Sequence, residues 1–209
     1  MEPPPSNPPY PAAIALAVLS TLAILLDLPP LVWHCKNRNV AAGCLISWLV
    51  INNLLNLINA CIWPNDDTRH LYSGEGLCDI EVKLIVARST ALPGATFCIL
   101  KSLADVMDTS KVNLAPSKAR RVRALVLDLF FGLGVPALTM FLHYVVQPSR
   151  YYLTGVSGCV PSFYPSPLTV LLLDVPPVIL TIADVYLCSK SPSLPPNHLP
   201  HPSPVPNPY

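Results

Sequence analysis

Charged side chains cluster at one place in a chain that is otherwise poor in charge. The stretch "GEGLCDIEVKLIVAR", residues 74–88, contains Asp79, Glu81, Lys83 and Arg88, whereas charged residues make up only 12% of the 209-residue chain. Carboxylate, ammonium and guanidinium groups at this density can form ion pairs with neighbouring elements or bind a polar ligand. Glu81 and Arg88 share a helical face two turns apart, so they either have separate partners or hold a ligand between them.

A row of asparagines follows one face of the preceding uncharged stretch. Asn52, Asn56 and Asn59 lie on the same helical face, and Trp48 precedes them in the sequence. Amides are costly when they face lipid, so this face is predicted to point into a helical bundle. Two interpretations stay open: hydrogen bonds between helices, or the lining of a ligand site.

The sequence lacks the motifs of the common catalytic and metal sites. It contains no Gly-x-Ser-x-Gly, no His-Glu-x-x-His and no phosphate-binding loop, and its five histidines are scattered. We therefore predict neither an enzyme nor a cofactor or metal site. The net charge of +1 gives no reason to expect a nucleic acid as a partner.

The polar residues must be positioned by helices that cross a membrane. Hydrophobic residues make up 52% of the chain and fall in long blocks, and a spanning helix needs about 20 mostly apolar residues. The sequence predicts an all-α integral membrane helical bundle, with a membrane domain over residues 12–188. Its five predicted spans are residues 12–33, 41–63, 80–103, 124–146 and 168–188. Proline-rich tails are predicted at 1–11 and 189–209, the second of them disordered.

The distribution of basic residues predicts the orientation of these spans. With the N-terminus outside, the inner loops hold eight basic residues: Lys36, Arg38, Lys111, Lys118, Arg120, Arg121, Arg123 and Lys190. The outer loops then hold only Arg69 and Arg150. Because basic loops favour the cytoplasmic side, we predict a multi-pass plasma membrane protein with an outside N-terminus and a cytoplasmic C-terminal tail.

Prolines interrupt four of the five predicted spans. They are Pro29, Pro30, Pro93, Pro136, Pro176 and Pro177. A proline within a membrane is tolerated where neighbouring helices, or Ser and Thr side chains, satisfy the carbonyl that it leaves without a donor. The resulting kinks fit either a bundle that bends around a cavity or a static packing irregularity.

Two of the seven cysteines fall in predicted outer loops. They are Cys78 and Cys159; the others lie inside, or within spans or at their ends. An oxidising exterior permits a disulfide only between these two, so we predict a Cys78–Cys159 bond, with two free thiols as the alternative.

Five stretches, taken in order, resemble the fungal mating-pheromone receptors of the a-factor type. They are "WHCKNRNVA" (33–41), "SWLVINNLLNLINACIWP" (47–64), "GLCDIEVKLIVARSTALPGATFCILKSL" (76–103), "GVPALTMFLHYVVQPSRYYL" (134–153) and "GCVPSFYPSP" (158–167). The most specific parts are Leu-Cys-Asp-Ile with a following Lys, the later Pro93, and Val-Gln before a Gly-Cys-x-Pro loop. The resemblance covers roughly residues 12–188.

The resemblance implies a class D seven-helix receptor for a lipidated (farnesylated) peptide pheromone. Such a receptor binds its ligand at the outer face and signals to a heterotrimeric G protein inside, and the lipid bilayer and other receptor chains are further partners. The predicted ligand-binding residues are Asn52, Asn56, Asn59, Asp79, Glu81, Lys83, Arg88, Tyr151 and Tyr152. The predicted G-protein contacts are Lys36, Arg38, Lys101, Lys118, Arg120, Arg121 and Arg123.

The sequence also departs from the family. Lys101 stands where family members commonly have Arg, and Lys lacks the planar fork that fixes an ion pair. A sixth and a seventh span are not seen, so the resemblance predicts a receptor truncated after the fifth span. Two other functions remain open: a non-signalling membrane protein that binds or sequesters a full-length receptor, and a small transporter.

Overall fold

The computed structural model describes residues 8–66, 72–107 and 118–190. Spans 1, 2 and 3 are the helices α1 (Pro11–Lys36), α2 (Val40–Ile62) and α3 (Leu77–Met107). Span 4 consists of α4 (Lys118–Leu129), a π-helical turn at Phe130–Gly134 and α5 (Val135–Val146). Span 5 consists of α6 (Pro167–Thr169), a π-helical turn at Val170–Asp174 and α7 (Val175–Lys190). Between spans 4 and 5, strands β1 (Tyr152–Thr154) and β2 (Gly158–Val160) form an antiparallel hairpin.

All five predicted spans are confirmed as helices that are long and apolar enough to cross a membrane. Four of these helices are longer than the predicted spans. Span 1 reaches Lys36 and span 4 begins at Lys118, whereas the predicted bounds stopped at 33 and began at 124. Arg69, Lys111, residues 1–7 of the first predicted tail and residues 191–209 of the second lie outside the described residues.

Span 3 is the centre of the bundle. It packs against spans 2, 4 and 5, whereas span 1 packs mainly against span 2. Ala87, Ala91 and Ala95 recur every four residues along span 3 and are each at most 1% exposed. Small side chains on one face let neighbouring backbones approach closely. A methyl group at Gly94 would lie 2.7 Å from the carbonyl oxygen of Phe131, so the π-helical turn of span 4 rests directly on span 3.

Pro136 shows how a neighbouring span satisfies a carbonyl that a proline leaves without its helical donor. In a regular helix, the N–H of residue 136 would bind the carbonyl of Gly132, and proline has no N–H. The indole Nε1–H of Trp48 donates to that carbonyl oxygen at 2.9 Å, and Trp48 is buried. The predicted compensation by a neighbouring helix is therefore confirmed at Pro136.

Replacing Trp48 tests this compensation. We expect Trp48→Phe to lower the free energy of unfolding by about 1–3 kcal/mol, because the Gly132 carbonyl becomes a buried acceptor without a donor. The measurement is thermal unfolding of the purified chain in detergent micelles. Trp33→Phe is the matched control, since Trp33 is 61% exposed on span 1 and should tolerate the change.

A double-mutant cycle isolates the hydrogen bond from the packing of the ring. Pro136→Ala restores a backbone N–H for the Gly132 carbonyl, so Trp48→Phe should cost less in the Pro136→Ala background. An equal cost in the two backgrounds would show that the Trp48 indole contributes only through its volume.

Candidate functional site

A disulfide binds the hairpin to the first turn of span 3. Cys78 and Cys159 are bonded with a Cα–Cα distance of 5.3 Å, and the predicted pairing is confirmed. Both cysteines are at most 1% exposed and pack in one cluster with Trp63 and Val82. We call this side of the bundle the disulfide end: the hairpin, residues 72–83 and the ends of spans 2, 4 and 5 beside them.

A buried amide and a buried carboxyl join span 2, span 3 and the hairpin. The Asn59 Nδ2 donates to Glu81 Oε1 and, at 3.0 Å, to the carbonyl oxygen of Ser157. Glu81 is 1% exposed and Asn59 is 3% exposed. Within the part of the chain that the structure describes, Asn59 Oδ1 and Glu81 Oε2 have no hydrogen-bond donor. Buried acceptors of this kind can bind a donor group from another molecule.

The close approach of the hairpin to Asn59 depends on a glycine. Gly158 has a φ of 66°, and a methyl group there would lie 2.4 Å from the Asn59 Cγ. Both the left-handed backbone and the lack of space therefore require glycine at this position.

Lys83 connects span 3 to span 4. Its ammonium donates to Gln147 Oε1 at 2.8 Å and to His143 Nδ1 at 2.9 Å, and it lies 4.8 Å from the centre of the Tyr144 ring. Because an ammonium can only donate, Nδ1 is the acceptor and the proton of the neutral ring is on Nε2. That Nε2–H donates to the Ser162 carbonyl oxygen at 3.1 Å, and His143 is fully buried.

The remaining charged residues of the stretch have two further partners. Arg150 makes a bidentate ion pair with Asp79, at 2.7 Å and 3.3 Å. The two side chains are 73% and 35% exposed, and exposed ion pairs contribute only about 0–1 kcal/mol. Deeper in the bundle, Arg88 donates a hydrogen bond to Asn52 Oδ1 on span 2.

The structure also places the other predicted ligand-binding residues at or near the disulfide end. Asn56 is half-buried on span 2, and the Tyr151 hydroxyl donates to the Ser73 carbonyl at 3.1 Å. Tyr152 is exposed, and the neighbouring hydroxyls of Ser149 and Ser162 lower the pKa of its phenol. The ligand-binding role of the whole set stays a prediction.

Sequence reasoning missed four members of this network: His143, Gln147, Ser157 and Ser162. His143 and Gln147 are four residues apart at the end of span 4, and this spacing was the available signal for one shared face. Ser157 and Ser162 accept through their backbone carbonyls, so no side-chain pattern could indicate them. Among residues 8–66, 72–107 and 118–190, no three His, Cys, Asp or Glu side chains come together where they could hold a metal ion.

The predicted G-protein contacts lie at the opposite side of the bundle, which we call the basic end: residues 36–39, 101–105 and 118–123. Lys101 is half-buried and the other six residues of the predicted set are exposed. The Arg120 guanidinium lies 4.0 Å from the Asp105 carboxylate, which connects spans 3 and 4 at this end. Six exposed cations on one side of the bundle can attract an acidic partner.

Removing the disulfide should destabilise the disulfide end. We expect Cys78→Ala, Cys159→Ala and the double variant each to lower the free energy of unfolding by about 2–5 kcal/mol, since the loss of either cysteine abolishes the disulfide. Cys61→Ala, which removes an exposed free thiol, is the control. Thermal unfolding and a non-reducing peptide map are the measurements, and a map without a Cys78–Cys159 link would refute the pairing.

Two glycine variants separate backbone strain from the clash with Asn59. Gly76 also has a positive φ, 81°, but a methyl group there meets nothing within 4 Å. Gly76→Ala should therefore cost only about 1–2 kcal/mol of backbone strain. We expect Gly158→Ala to cost clearly more in thermal unfolding, because Asn59 must also move. Equal losses would show that the hairpin does not rest on Asn59.

Comparison with known proteins gives a consistent result. A family model described as "Pheromone A receptor" matches residues 15–191. The chain is 32% identical to the "Pheromone a factor receptor" of Saccharomyces cerevisiae, over 76% of this chain and 33% of the relative. It is 31% identical to "Pheromone receptor 1" of Mycosarcoma maydis, over 77% and 44% respectively. It is 32% identical to the "Pheromone B beta 1 receptor" of Schizophyllum commune, over 86% and 32%.

No solved structure matches the chain. The chain spans between about a third and somewhat under half of the length of these curated relatives. The family match covers most of the chain, and the same region contains the five membrane-length helices. The chain belongs to the pheromone A receptor family of fungi, and it is a multi-pass plasma membrane protein.

Proposed function

We propose that this chain recognises a lipidated peptide pheromone at its disulfide end and acts on a heterotrimeric G protein through its basic end. Membership of the pheromone A receptor family supports the pheromone as ligand. The relative from Saccharomyces cerevisiae carries the name "Pheromone a factor receptor". We propose the lipid group on the peptide and the coupling to a G protein from the resemblance to seven-helix receptors.

One observation carries the proposal: each charged residue at the disulfide end of span 3 is held by a partner outside span 3. Asp79 pairs with the loop before the hairpin, Glu81 with span 2 and Lys83 with span 4. A ligand that competes for one of these side chains replaces an interaction between elements. Such a ligand would bind more tightly to an arrangement of the helices in which that interaction is broken, and a difference in affinity of this kind is the requirement for shifting populations.

Two independent criteria support the same orientation. A disulfide persists in an oxidising environment, which favours an extracellular disulfide end. Basic residues are enriched in cytoplasmic loops, which favours a cytoplasmic basic end. In this orientation the N-terminus is outside, a secreted peptide reaches the hairpin, and the cations of the basic end face the cytoplasm.

An exchange of the two charges of one ion pair tests ligand recognition. We expect Asp79→Arg and Arg150→Asp each to weaken the binding of a farnesylated peptide at least tenfold. Thermal stability should change little, because exposed ion pairs contribute about 0–1 kcal/mol. The double variant restores an ion pair with reversed charges, so it should keep the stability of the unmodified chain without recovering binding.

The probes are synthetic farnesylated peptides with the sequences of pheromones from compatible mating partners, each labelled for a direct binding measurement. The same peptides without the farnesyl group are the control for the lipid part. The proposal fails if the unmodified chain binds none of the farnesylated peptides. Full recovery of binding in the double variant would show instead that the pair only holds the loop in place.

No observation on the described residues favours the alternative of a truncated, non-signalling protein that sequesters a full-length receptor. It stays a prediction, as does the transporter.

A further inference from the structure

A deep cleft opens at the basic end, away from the disulfide end. Its volume is about 820 Å³, and its walls come from spans 1, 2 and 4. Sites for small molecules commonly have volumes of roughly 300–1,000 Å³. The residues that matter for its chemistry are two arginines, Arg38 and Arg121, and the side chains of Trp48, Ile51, Leu125 and Leu133.

The cleft extends over the depth of one membrane leaflet. On span 2 its lining runs from Val40 to Ile51, a length of about 16 Å at 1.5 Å per helical residue. The hydrocarbon core of a bilayer is about 30 Å thick, so the cleft ends near the middle of the membrane. A single acyl chain of the adjacent leaflet extends over the same depth of the membrane.

The polarity of the cleft changes from its mouth to its inner end. Arg38 and Arg121 are exposed at the mouth. Neither forms an ion pair with a described residue. Among the lining residues, Asp128 is the only acid, and it lies two turns below Arg121, about 10 Å deeper along span 4. Trp48, Ile51 and Leu133 make the inner part largely apolar.

We propose that this cleft binds an anionic phospholipid of the surrounding bilayer. The phosphate lies between the guanidinium groups of Arg38 and Arg121, which suit planar recognition of a phosphate. One acyl chain fills the apolar part along span 2. Anionic lipids are concentrated in the cytoplasmic leaflet, and the basic end faces that leaflet in the proposed orientation. The inference does not depend on the identity of the pheromone.

A second copy of the chain is a poorer occupant of the same cleft. A neighbouring chain in the same membrane has the same orientation, so it would bring its own basic end to the level of Arg38 and Arg121. Like charges placed together in an interface are unfavourable. A lipid phosphate has the opposite charge at that level.

Native mass spectrometry of the full 209-residue chain tests the proposal. The chain in mild detergent is titrated with palmitoyl-oleoyl phosphatidylserine or with the matching phosphatidylcholine. We expect at least fivefold more phosphatidylserine adduct at equal lipid concentration. Arg38→Gln with Arg121→Gln should abolish that preference. Lys36→Gln with Arg123→Gln also removes two positive charges from spans 1 and 4, at exposed residues that do not line the cleft, so it should leave the preference within twofold.

Filling the cleft tests the acyl-chain part separately. Gly43 lines the cleft, and a methyl group there has only the Cys35 sulfur within 4 Å, at 4.0 Å, so Gly43→Leu adds side-chain volume at the wall of the cleft. We expect Gly43→Leu to reduce the phosphatidylserine adduct at least fivefold although both arginines remain. Thermal unfolding shows whether each variant is folded.

Three results would overturn the proposal. The first is equal adduct formation with the two lipids by the unmodified chain. The second is an unchanged phosphatidylserine adduct in the arginine double variant and in Gly43→Leu. The third is a change in oligomeric state on the same substitutions without loss of lipid, which would assign the cleft to a second copy of the chain.

Discussion

The disulfide between Cys78 and Cys159 is the constraint on which the candidate ligand site depends. It joins residues that are 81 positions apart in the chain and holds the hairpin on the first turn of span 3. Only in that position does Gly158 rest on Asn59 and the Ser157 carbonyl accept a hydrogen bond from its amide. The hairpin therefore acts as a covalently fixed cover over the polar residues at the interface of spans 2 and 3.

The membrane imposes the second constraint, since the hydrocarbon core of the bilayer cannot satisfy a polar group. Span 3 has the weakest apolar signal of the five because its charged side chains face protein partners, and it is the most buried span. The same rule explains the pairing of the Thr90 and Thr139 hydroxyls, 2.8 Å apart between spans 3 and 4. It also explains why a buried indole, Trp48, donates to the carbonyl that Pro136 leaves free.

The sequence predicts which polar side chains need a partner, but not which residues supply that partner. Hydropathy was sufficient to predict the five spans, because the length of an apolar segment decides whether it can cross a membrane. The distribution of cysteines was sufficient to predict the disulfide, because only an oxidising compartment permits the bond. The partners of Lys83 could not be predicted, since His143 and Gln147 are about 60 residues away and only the packing of spans 3 and 4 brings them together. The π-helical turns and the helix ends depend on local competition for hydrogen bonds, which composition does not reveal.

The two ends of the bundle differ in how their charges are held, and this difference separates their proposed roles. At the disulfide end, Glu81 and Lys83 already have partners on other elements, so a ligand must exchange with those partners and thereby alters contacts between helices. At the basic end, Arg38 and Arg121 are exposed, so a lipid phosphate adds an interaction without breaking an ion pair between described residues. A lipid bound there would stabilise one arrangement of spans 1, 2 and 4. By linkage, any peptide that favours the same arrangement would then bind more tightly when the lipid is present.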